Sequence, residues 1–155
     1  MKFSTREDIE ASADTVFDAV ADFDSFERLL LRRGADVIRL DSQKQKSVGM
    51  CWDVGFKFRG RNRKARATVM QFEPSQGMLI ASESGGVDAE LTVSIVQLSA
   101  KRTRLLVALD LKPKTLSARL LIQSMKLAKG SLTRKYKDKV AEFAADIESE
   151  AKAAA

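Results

Sequence analysis

Six positive charges fall within ten residues at Lys57, Arg59, Arg61, Arg63, Lys64 and Arg66, with no acid among them. Each basic residue held beside an anionic leaflet contributes about 1 kcal/mol of attraction, so this run is a candidate for docking on a membrane surface. Arg59, Arg61 and Arg63, near the tip of an expected hairpin, are the candidate docking residues. Lys126, Lys129, Arg134, Lys135 and Lys137 add positive charge further along the chain. Nucleic acid is the weaker partner for these charges. The aromatic platforms on which single strands stack are missing from the basic segments apart from Phe58 and Tyr136.

A second kind of chemistry attaches to polar groups set among apolar ones. Thr5 and Glu7 alternate with Phe3 and Ile9 on one strand face, and Gln71 shares the face of Val69. A carboxylate at an apolar wall can act as acid or base, or orient a ligand hydroxyl. An edge position or a bulge would instead return Glu7 to solvent. Tyr136, the one tyrosine, falls on an apolar helix stripe, where its ring packs inward and its hydroxyl holds either a ligand oxygen or water. Cys51 lies on the opposite strand face from Trp52 and reads as a packing residue rather than a nucleophile.

The chain has no histidine, which removes the usual general base near neutral pH, the usual zinc ligand and every triad built on imidazole. No cluster of Asp and Glu has the spacing of a Mg²⁺ or Ca²⁺ site. No metal or cofactor is expected. Covalent catalysis through Cys51 is not expected either.

The elements that must position these residues follow from periodicity. Phe3 to Ala11 alternates as a first strand, and Ser12 or Asp14 caps a helix through Val16-Phe17-Asp18-Ala19-Val20-Ala21. A second short helix runs from Ser25 to about Leu31, with Phe26, Leu29 and Leu30 inward, and ends at Arg32-Arg33-Gly34. The period then changes to two in six further segments, 37–40, 50–58, 65–72, 79–82, 89–98 and 103–111, separated by turn formers such as Gly60-Arg61-Asn62 and Gly85-Gly86. A meander of antiparallel hairpins is the simplest topology. Beyond Pro113, Leu121, Met125, Ala128, Leu132, Tyr136, Val140, Phe143 and Ile147 step by three or four along one long helix starting near Thr115, with a bend or close contact expected at Gly130.

A chain of 155 residues fits one domain, taken here as residues 1–150 with a frayed tail at 151–155. The net charge of +6 is uneven, because residues 1–27 hold eight acids against two bases. One cysteine allows no disulfide within the chain, and the opening residues carry no apolar signal region, so a cytoplasmic location is expected. No uncharged stretch approaches the roughly 20 apolar residues of a membrane span.

One strand, two short helices, six antiparallel strands and a long closing helix is the order of the helix-grip fold. The chain resembles the START-related superfamily (SRPBCC) of polyketide cyclases and lipid-transfer proteins over its whole length. The local phrases are Ile9-Glu10-Ala11-Ser12-Ala13-Asp14-Thr15-Val16-Phe17-Asp18 at the strand-to-helix opening, Phe72-Glu73-Pro74 at a strand end, and Thr103-Arg104-Leu105 at the start of the last strand. Ser12 stands where many relatives carry proline. The resemblance implies an α+β fold in which a curved seven-stranded antiparallel sheet wraps a long C-terminal helix around a cavity for lipids, quinones, sterols or polyketide-like compounds. It implies no universal catalytic residues.

On that expectation Trp52, Val54 and Phe56, which share a strand face with Met50 and Phe58, are candidate walls of an enclosed cavity, joined by Leu105, Val107 and Leu109 of the last strand and Leu121, Met125, Leu132 and Tyr136 of the helix. The same residues would equally fill a solid core. The leading functional expectation is binding or carriage of a hydrophobic small molecule. A cyclase or dehydratase using Glu7, Asp53 or Tyr136, and a protein- or RNA-binding module acting through the basic surface, are the alternatives.

Overall fold

In the computed structural model all 155 residues are described. Strand β1 (Lys2–Ile9) leads into α1 (Ala13–Val20) and α2 (Phe23–Arg32). Six strands follow: β2 (Asp36–Arg39), β3 (Cys51–Phe58), β4 (Arg61–Glu73), β5 (Gly77–Ser84), β6 (Val87–Ser99) and β7 (Arg102–Pro113). The chain closes with α3 (Leu116–Lys126) and α4 (Lys129–Ala154). The seven strands form one antiparallel sheet in the order β1-β7-β6-β5-β4-β3-β2. The expected meander therefore covers β2 to β7, and β1 returns to pair with β7. This is an α+β helix-grip arrangement.

Local chemistry sets the turns. Arg59 and Gly60 both have positive φ, 53° and 74°, as do Gly85 and Gly86 at 54° and 83°. Two such residues in succession make the two-residue hairpin turn whose twist matches that of its strands. The strands consequently run closer to the turns than their alternating patterns alone indicate. Gly77 follows the Glu73-Pro74-Ser75-Gln76 turn at φ 155°, and a Cβ there would lie 2.2 Å from the carbonyl oxygen of Val93, so only glycine fits between β5 and β6.

Ser12 caps α1 by accepting from the Thr15 amide at 3.2 Å. Asp22 caps α2 by accepting from the Ser25 amide at 3.2 Å, so α2 starts at Phe23 rather than at Ser25. Both helices sit over one end of the sheet, where Val16, Phe17, Val20 and Phe23 join Ile9, Trp52, Val69, Met78, Leu105, Ala144 and Ile147 in the buried core.

The single C-terminal helix expected from the sequence is divided in two. Thr115 caps α3 through the Ala118 amide at 3.1 Å, and the helix stops at Leu127 and Ala128 before α4 begins without a side-chain cap. A Cβ at Gly130 would meet nothing within 4 Å, so this glycine sits just past the break rather than at a close contact. At the other extreme α4 continues to Ala154, beyond the expected fraying at Ala151, because Ala151 still packs against the core. No helix is long and apolar enough to cross a membrane.

Candidate functional site

Only 22 of the 155 residues are buried, and much of the inner surface of the sheet borders a cavity. A cavity of about 580 Å³ lies between sheet and helices, lined by 19 residues of which 16 are hydrophobic. That volume is within the range of small-molecule sites. Alternation along the strands builds its floor. Successive inner positions contribute Trp52 and Val54 from β3, Met78 and Ile80 from β5, and Leu91 and Val93 from β6, with Ala67 and Val107 from β4 and β7. Tyr136, Val140 and Phe143 of α4 cover them, and Val20, Phe23, Phe26 and Leu30 of α1 and α2 close one end.

Aromatic rings hold α2 to the sheet wall and to α4. Phe23 packs on Trp52 with ring centroids 5.1 Å apart, and Phe26 on Phe143 at 5.6 Å. The cavity is not a closed chamber. It reaches the surface where exposed Leu30, Lys135 and Lys139 border it.

Three charged groups line the wall: Glu27, Lys135 and Lys139. Glu27 accepts from the Trp52 indole N–H at 2.6 Å, so the carboxylate fixes the ring and keeps its second oxygen for another donor. The Tyr136 hydroxyl donates to the Val107 carbonyl at 2.6 Å, tying α4 to β7, and burial raises its phenol above the ordinary value of 10.0. Its lone pairs can still accept from a bound molecule.

Among the candidate wall residues, Trp52, Val54, Val107 and Tyr136 line this cavity. The others lie elsewhere. Leu105 is 0% exposed and belongs to the core. Phe56, Leu109, Leu121, Met125 and Leu132 are half-buried and border no part of the cavity, because α3 comes down on its own half of the sheet with Ala118 and Ile122 buried beneath it. Glu7 is half-buried on β1 opposite Leu105, in the strand that α4 packs against, and lies outside the cavity.

Gln71 needs a correction. A bulge between Val69 and Gln71 inserts one residue into β4, so Gln71 is exposed and Phe72 takes the inner position, packing on Phe17 with ring centroids 5.2 Å apart. Asp53 faces outward in an ion pair with Arg66 at 2.8 Å, and that guanidinium holds its carboxyl below the usual range. Cys51 is half-buried and its sulfur accepts from the Thr68 hydroxyl at 3.3 Å.

Glu27 was not among the sequence candidates. The signal was present: Phe23, Glu27 and Leu30 step by four and three along α2, which puts the carboxylate on the apolar face. Sequence reasoning also passed over Met78, Ile80, Leu91 and Val93, which alternate as ordinary core residues do.

No family model matches the chain, and no curated protein sequence matches it. Solved structures do. The Zhui aromatase/cyclase from Streptomyces sp. R1128 superposes with a TM-score of 0.67 at 13% identity, covering 96% of this chain and 93% of that one. A START superfamily protein from Mycobacterium smegmatis gives a TM-score of 0.55 at 17% identity over 86% and 95% of the two chains. Norcoclaurine synthase from Thalictrum flavum gives 0.59 at 13% identity over 74% and 70%. At such identities the likeness is one of fold. The chain has the helix-grip fold that cyclases and START proteins share.

Proposed function

We propose that this protein binds or carries a hydrophobic small molecule, of lipid, quinone, sterol or polyketide-like chemistry, in the cavity between α4 and the sheet. The observation that carries the reading is the 580 Å³ space with 16 apolar residues among its 19. A ligand that packs against apolar walls around a space of that size gains dispersion and hydrophobic energy together. The reading includes a single domain acting in the cytoplasm, where Cys51 stays reduced, and contact with anionic membrane through Arg59, Arg61 and Arg63 at the β3–β4 tip.

The experiment is a titration of Trp52 emission with a fatty acid, a sterol, a quinone and a polycyclic aromatic compound, in wild type and in Val54→Phe. Wild type is expected to respond saturably to at least one compound, and Val54→Phe, which places a ring in the space, to lose about tenfold or more in affinity while staying folded. A flat response of folded wild type across the panel would overturn the reading.

One observation favours a second reading. Glu27 is the one carboxylate on the cavity wall, and its free oxygen could take a proton from a bound polyketide-like substrate, as a cyclase or dehydratase requires. Under that reading Glu27→Gln retains binding and abolishes turnover.

A further inference from the structure

Helix α3 is apolar on both sides. Ala118 and Ile122 are buried against the sheet, whereas Leu116, Leu120 and Leu127 at its other side and end are 75%, 60% and 92% exposed. At about 100° per residue these three leucines fall within about 40° of one line, opposite the packed face. Nothing in the fold covers them.

The charge around that stripe is predominantly positive, although at its start Lys112 and Lys114 pair with Asp110 and Asp88 at 3.7 and 3.0 Å. Arg119 and Lys126 border it on one side. On the other side the Ser124 hydroxyl accepts from the Arg59 guanidinium, which brings the β3–β4 tip against α3. Arg59 and Arg63 each lie 5.6 Å from the centre of the Phe58 ring, so the tip is a cluster of guanidiniums held around one aromatic. From Leu111 to Lys137 there are eight bases and no acid, and from Val54 to Phe72 six bases and no acid. These two stretches meet at the contact between Arg59 and Ser124.

We infer that α3 and the β3–β4 tip form one docking surface for an anionic lipid bilayer, with Leu116, Leu120 and Leu127 entering the boundary between headgroups and acyl chains. A helix with an exposed apolar stripe flanked by basic residues lies in the plane of such an interface, drawn by charge and held by apolar burial. Nucleic acid would satisfy the guanidiniums but gives the three leucines nothing to enter. The inference rests on the proposed docking of the tip and adds to it the inserting element.

The test is co-sedimentation with vesicles of phosphatidylcholine alone and of an equimolar mixture with phosphatidylglycerol, at low and at high salt. Wild type is compared with Leu116→Ser/Leu120→Ser/Leu127→Ser and with Arg59→Gln/Arg61→Gln/Arg63→Gln. Wild type should bind the anionic vesicles and retain part of that binding at high salt, because apolar insertion resists screening whereas Coulombic attraction does not. The leucine variant should lose the salt-resistant part, about tenfold or more, and the arginine variant the salt-sensitive part. All six positions are at or near the surface, so both variants should keep the far-UV circular dichroism of wild type.

Wild type that binds no vesicle, or binds neutral and anionic vesicles equally, would overturn both tip docking and insertion. A leucine variant that binds like wild type at both salts would overturn insertion and leave tip docking standing. Tighter binding to duplex DNA than to anionic vesicles would make the surface a nucleic-acid site and overturn the inference. Trp52 titration with free apolar compounds, without vesicles, reads the cavity separately and should be the same in both variants.

Discussion

The two ends of the same sheet are covered in different ways. At the end capped by α1 and α2, Phe23, Trp52, Ile80 and Val93 turn inward around the cavity, and the polar groups among them are few. At the end crossed by α3, the inner residues are covered directly by Ala118 and Ile122, while the apolar surplus and the positive charge face outward. The strands supply both ends with the same alternation. What differs is the set of helix side chains laid across them: Tyr136, Val140 and Phe143 of α4 border the cavity, whereas Ala118 and Ile122 of α3 are buried against the sheet.

The largest expected effect separates core from cavity within one strand. Leu105 and Val107 are neighbouring inward positions of β7, but Leu105 is fully buried and Val107 borders the space. Leu105→Ala should cost about 2–5 kcal/mol by removing packed atoms and leaving a hole, and Val107→Ala clearly less, because its side chain already faces a void. Urea denaturation of both variants checks the contrast. Equal losses would mean that Val107 is packed as tightly as Leu105.

A smaller effect is expected at the wall. Glu27→Ala removes the acceptor of the Trp52 indole N–H at 2.6 Å and should cost about 1–2 kcal/mol, with a shift in Trp52 emission as the ring loses its anchor. Glu27→Gln, which keeps a carbonyl oxygen in the same place, should recover most of the stability. Thermal melts and emission spectra of the pair give the answer. A Gln variant as unstable as the Ala variant would show that charge, not the hydrogen bond, positions the ring.

The fold was legible because each change of period in the chain marks a change of element: two from Val37 to Leu111, and three or four beyond Pro113. The site was legible only in part. Periodicity assigns a face, and Trp52, Val54 and Val107 were assigned to the inner one, but it cannot tell a lined space from a filled one, so Leu105 and Phe56 were grouped with them. Gln71 was misplaced because the bulge after Val69 leaves no mark in an alternating pattern. Glu27 was hidden in a helix whose strongest signals are Phe26, Leu29 and Leu30. The break after α3 was hidden because apolar spacing continues smoothly through Leu127 and Ala128.

The smallest effect concerns the loop that joins β2 to β3 beside the cavity end. Asp41 accepts from the Arg39 guanidinium at 3.0 Å, from the Cys51 amide at 2.8 Å and from the Gln43 amide at 3.0 Å. The Arg39 bond above all, then the Cys51 amide, hold its carboxyl well below the ordinary value of 3.8. A carboxylate whose value is lower in the folded state contributes stability that is fully present above its unfolded value, and loses it as pH falls through that value toward the folded one. Asp41→Asn keeps a carbonyl for one amide but gives up the ion pair and the second acceptor oxygen. The variant should therefore be less stable than wild type at neutral pH, and the gap should close as pH falls below about 4. Asp8, Asp22 and Asp53 are lowered by their own partners and weaken wild type in acid as well, so the difference between the two proteins, not the acid loss itself, isolates Asp41. Urea midpoints measured from neutral pH down to about pH 2 follow that difference. A gap that stays constant over the whole range would mean that Asp41 acts by shape alone, and that its charge does not tie the loop to Arg39 of β2 and Cys51 of β3.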